Sequence, residues 1–177
     1  FGTSLSLSHP SGSLAVGAPG DRMNNPGTRA FPWSLMVGGQ PNSGAALVFQ
    51  LTTVGGQLRA TRSFFIKAEA PQADAGFGRA VAFNLYNEFA VVIGAPGHVE
   101  AGQRSGAAFV VPLSQPLRPQ SVVLPPLGDP FDEHGVAVGM AGENVVVVGS
   151  PGEDSSDSGI NLGSSLQGNS SPNSGAV

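Results

Sequence analysis

One phrase recurs three times in this chain, and it constrains the fold more than any other feature. The first copy runs Phe1-Gly2, then Leu14-Ala15-Val16-Gly17-Ala18-Pro19, then Ser43-Gly44-Ala45. The second runs Phe77-Gly78, Val91-Val92-Ile93-Gly94-Ala95-Pro96, then Ser105-Gly106-Ala107. The third is altered: His134-Gly135, Val145 to Val148 followed by Gly149-Ser150-Pro151, then Ser174-Gly175-Ala176. Gly2 and Gly17 lie 15 positions apart, Gly78 and Gly94 lie 16, and Gly135 and Gly149 lie 14. The spacing from the second part of the phrase to the third varies far more. Fixed strands with loops of different length between them produce this pattern, and a fixed internal recurrence marks a repeat architecture.

Each copy reads as short strands. In residues 1–8, Leu5 and Leu7 alternate with Ser4, Ser6 and Ser8, the period of a half-buried strand. Gly-Ala-Pro ends the next strand, because proline has no N–H for the interior of a ladder. The 26 glycines and 15 prolines fall at such ends and act as turn punctuation. Further strands are expected at 45–51, 59–67, 77–83, 89–93, 107–113, 121–124, 136–139 and 145–148. No segment has a helical period. The expected repeats are 1–73, 74–129 and a truncated 130–177.

Composition excludes several classes. Charged residues are 11% of the chain, and its eight Lys and Arg form no run, so a nucleic-acid footprint is absent. There is no Cys, which removes disulfides and thiolate chemistry. No apolar run approaches the ~18 residues of a membrane span. No secretory leader is recognisable and the chain opens without Met, so a processed or partial chain is expected.

The phrase resembles the FG-GAP repeat, the blade motif of integrin α-subunit β-propellers. The resemblance rests on the residues quoted above and spans the whole chain. It implies an all-β fold of four-stranded antiparallel propeller blades, about two complete and one partial. It also implies an extracellular or cell-surface binding and adhesion role, with no catalysis. A protein or glycan partner is expected, together with further blades to complete the ring. Such repeats often carry a calcium loop between their first two strands. Here those turns contain His9-Pro10-Ser11-Gly12, Asn84 to Glu88, and Ala141 to Asn144, without the several carboxylates calcium takes. No cofactor is expected there.

Contact residues are expected in the long loop 20–42. Phe31, Trp33, Leu35 and Met36 form an apolar patch flanked by Arg22 and Arg29, a composition suited to a partner surface. Burial of that patch against its own blade is the competing reading. Glu153, Asp154 and Asp157 are the alternative metal candidates, and a solvated polar loop is the simpler reading. Asn169-Ser170-Ser171 matches a glycosylation acceptor. His9, His98 and His134 lack zinc-motif spacing, and His134 replaces a core Phe. No nucleophile elbow or phosphate loop occurs. Two further readings stay open: a structural subunit whose unfinished sheet is completed by a partner, and a hydrolase or lyase on a propeller scaffold.

Overall fold

The computed structural model describes residues 1–8, 12–24, 26–30, 38–83, 90–114, 120–125, 128–141, 145–156 and 170–177, and leaves the side chains of residues 62 and 63 undescribed. The described chain is all-β and antiparallel within its sheets, with no helix. The first sheet contains β1 (Leu5–Ser8), β2 (Ser13–Ala18), β3 (Gly27–Ala30), β4 (Ala45–Val54) and β5 (Gln57–Lys67), in the order β1-β2-β4-β5-β3. The second contains β6 (Ala80–Phe83), β7 (Ala90–Ala95), β8 (Ala107–Pro112) and β9 (Ser121–Val123), in sequence order. The third pairs β10 (Ala137–Ala141) with β11 (Val145–Gly149). Beyond it, Ser150 and Ala176 form an isolated antiparallel bridge, at the positions equivalent to the Ala95↔Ala107 pair of the second sheet.

Two expectations need correction. The first sheet has five strands, because part of the segment expected to be loop is β3, which pairs with the end of β5 from Gly27↔Lys67 to Ala30↔Phe64. The strand covers an edge that β5 would otherwise expose. In β1, the serine face turns inward while Leu5 and Leu7 are 63% and 62% exposed. These serines reach the second repeat: Ser4, just before β1, donates Oγ–H to Gly78 O at 3.0 Å, and Ser6 Oγ in β1 accepts from Phe83 N of β6 at 3.1 Å.

The second sheet is covered on both faces, which explains its uninterrupted Val91-Val92-Ile93 run. Val91 and Ile93 pack with Ala46, Val48, Phe64 and Ile66 of the first sheet. Val92 and Ala108 pack with Val148 of the third. On β11, Val146 and Val148 turn to that core while Val145 and Val147 are exposed. The first strands of the sheets lie side by side, with β6 contacting both β1 and β10.

The recurrent phrase is a backbone staple. Gly2, Gly78 and Gly135 donate N–H to the carbonyls of Gly17, Gly94 and Gly149, at 2.9, 3.0 and 3.1 Å. Gly44 forms a parallel bridge with Phe77, and Gly106 one with His134. Phe77 N donates to Ser43 O (3.2 Å) and His134 N to Ser105 O (2.9 Å), so each third-strand entry grips the start of the next repeat. The approach leaves no room for a side chain. A Cβ on Gly17 would meet Gly78 O, and one on Gly94 would meet Gly135 O.

Candidate functional site

The loops leaving each second strand share one base. Gly44, Gly106 and Gly175 donate N–H to the carbonyls of Asp21, His98 and Glu153, at 2.9, 3.1 and 2.9 Å. These bonds close segments of very different length: 22 residues lie between Asp21 and Gly44, seven between His98 and Gly106, and 21 between Glu153 and Gly175.

The base of the first loop carries additional locks. Gly39 N donates to Arg22 O at 3.0 Å, and Met23 N to Asp21 Oδ1 at 3.0 Å. The fully buried Lys67 ammonium donates to Asp21 Oδ1 (2.9 Å) and to Gly44 O (2.7 Å). Burial lowers the proton affinity of Lys67, and the Asp21 carboxylate opposes that shift. Beside this base lies an open cavity of about 360 Å³, lined by Asn24, Gly38, Gly39, Gln40 and Pro71. Arg22 and Arg29 are exposed, Arg22 at the loop base and Arg29 on β3. Phe31, Trp33, Leu35 and Met36 lie outside the described residues.

In the third repeat, Glu153 and Asp154 order backbone. Glu153 Oε2 accepts from Ser155 N (3.1 Å), and Asp154 Oδ1 accepts from Asn173 N (2.6 Å). Asp157 and Asn169 lie outside the described residues. Among the described residues, no group of three or more Asp, Glu, His or Cys is placed to share a metal ion.

Sequence reasoning missed a buried polar set in the same repeat. His134 Nδ1 and Ser150 Oγ are 2.6 Å apart, with His134 7% and Ser150 5% exposed. Burial lowers the His134 proton affinity. Asp132 is 1% exposed; its Oδ2 accepts from Asp129 N at 2.8 Å, and its Oδ1 has no hydrogen-bond partner among the described residues. Burial raises its proton affinity, and the nearby charges of Asp129, Glu153 and Asp154 push it the same way. The signal was available in the repeat alignment: Asp132, His134 and Ser150 stand where the second repeat has Ala75, Phe77 and Ala95.

A second missed feature is a half-open cleft of about 320 Å³ at the junction of the second and third repeats. Asp74, Pro96, Arg104, Phe131 and Glu133 line it. Arg104 Nη2 donates to Asp74 O at 3.0 Å, and Asn42 Nδ2 holds Asp74 Oδ1 at 2.8 Å. Phe131 N donates to Arg104 O at 2.9 Å, which places the phenylalanine beside the guanidinium-bearing loop.

No protein-family model matches the chain, and no curated protein matches it.

Proposed function

We propose that the chain is a non-catalytic binding and adhesion module, part of an FG-GAP β-propeller working outside the cell or at its surface. The observation that carries this reading is the common loop base. Three segments of unequal length are each closed by a backbone hydrogen bond at equivalent positions: Gly44 to Asp21, Gly106 to His98 and Gly175 to Glu153. A rigid scaffold with variable loops on a fixed frame is the usual layout of a recognition surface. The partner is a protein or a glycan. The first loop supplies the main contacts: Trp33 and Met36 as anchors, with Phe31 and Leu35 beside them and Arg22 and Arg29 at the rim.

The test is solid-phase binding of the chain to arrayed extracellular-matrix proteins and glycans. Replacing Trp33→Ala together with Met36→Ala is expected to weaken whatever association the parent shows by about tenfold or more, the range of a hot-spot pair. Unchanged association would overturn the contact assignment.

A second reading, a structural subunit of a larger assembly, is favoured by the outer face of β11, where Val145 and Val147 are 55% and 43% exposed. Concentration-dependent self-association in sedimentation, lost on Val147→Lys, would favour that reading over the first.

A further inference from the structure

The junction cleft carries an inference that rests on the binding-module reading and gives it a second site. The two links between repeats have matching backbones. Asp74 and Gly76 occupy left-handed positions in the first link, with φ of 58° and 66°. Phe131 and Glu133 occupy the equivalent positions in the second, with φ of 76° and 55°. Glycine adopts that region freely and Asp tolerates it, whereas a bulky L-residue there is strained. Packing does not explain the choice of phenylalanine, since Phe131 is 72% exposed. Strain held at an exposed side chain points toward a function.

The surroundings indicate what the side chain does. Phe131, Asp74, Glu133 and Arg104 line one cleft. Asn42 Nδ2 occupies one oxygen of Asp74. The cleft thus offers an apolar ring face, anionic acceptors and a cationic donor within about 320 Å³, at the small end of ligand sites. A pyranose ring matches this combination. Its C–H face lies on the aromatic ring, its hydroxyls donate to carboxylates, and a ring or hydroxyl oxygen accepts from Arg104. A cationic side chain would suit the carboxylates but would be repelled by Arg104.

We infer that the cleft between the second and third repeats binds a neutral saccharide, with Phe131 as the stacking platform and Asp74, Glu133 and Arg104 as its polar partners.

Saturation-transfer NMR and calorimetry with methyl β-glucoside, methyl β-galactoside, methyl α-mannoside and methyl α-fucoside test the assignment. At least one is expected to receive saturation at millimolar concentration. Its affinity is expected to fall tenfold or more in Phe131→Gly and in Glu133→Gln. Phe131→Gly removes the strain, so it is expected to unfold at or above the parent temperature, which separates lost binding from lost folding. Absence of transfer to all four glycosides, or transfer unchanged in Phe131→Gly, overturns the assignment. So does binding of an oligolysine peptide, sensitive to Phe131→Gly, in place of glycoside binding; that result would give the cleft to a cationic protein partner. The Trp33→Ala, Met36→Ala chain is expected to keep glycoside binding. If the cleft result is negative while that chain still loses its partner, only the cleft assignment fails.

Discussion

His134 and Ser150 stand where the second repeat has Phe77 and Ala95, and the exchange changes how the protein responds to acid. Phe77 is fully buried and meets Phe109 edge-on at 5.1 Å between ring centroids. His134 keeps the position but brings a titratable ring, and burial holds its pKa below 6.5. The folded state then binds fewer protons than the unfolded chain, so stability is lost as pH falls below about 6.5. His98 adds a slope of the same sign, since burial also lowers its pKa, partly offset by Glu100. Restoring the apolar pair by His134→Phe with Ser150→Ala is expected to raise the urea midpoint and to shrink its decline between pH 7.5 and 5, leaving the His98 share. His134→Phe alone strands the Ser150 hydroxyl and forfeits about 1 kcal/mol of that gain. Equal declines in parent and double variant would remove His134 from the account. Asp132 has the opposite sign. Its raised pKa means the folded state holds its proton longer, so the residue costs stability once pH exceeds about 3.8.

At the scale of the element, the staple glycines separate into those closed by a following repeat and those that are not. A Cβ on Gly94 would run into Gly135 O, a backbone atom that cannot swing aside. A Cβ on Gly149 would meet the Ala137 Cβ at 3.4 Å, an ordinary contact. Gly94→Ala is therefore expected to destabilise by about 3 kcal/mol, the upper range for overpacking. Gly149→Ala is expected to change stability by less than about 0.5 kcal/mol. Equal losses in chemical denaturation would refute the staple as the reason for these glycines. Much of this level was legible beforehand, because Gly-Ala-Pro marks strand ends and the recurrence marks equivalent strands. β3 was not legible: Gly27-Thr28-Arg29-Ala30 has no apolar alternation, and only pairing with β5 makes it a strand. The inward turn of Ser4 and Ser6 escaped notice for a similar reason, since their partners Gly78 and Phe83 lie more than 70 positions away. The cleft was invisible because Arg104 and Phe131 are distant in sequence and meet through one backbone bond.

At the scale of the molecule, the three sheets are joined by backbone as well as by side chains. The amides of Phe77 and His134 lie in connecting segments, yet they bond across repeats to Ser43 and Ser105. Both residues are buried, at 0% and 7% exposure. Native-state hydrogen exchange is expected to show these two amides protected to nearly the level of β7 and β8, not to that of loops. Exchange at loop rates would mean that the sheets open independently. The same joints separate the length of a loop from the integrity of the fold. Going from the seven-residue span between His98 and Gly106 to the 22-residue span between Asp21 and Gly44 adds only about 1 kcal/mol of closure entropy. Each base thus behaves as a socket, into which sequence can be exchanged without renegotiating the sheets beneath it.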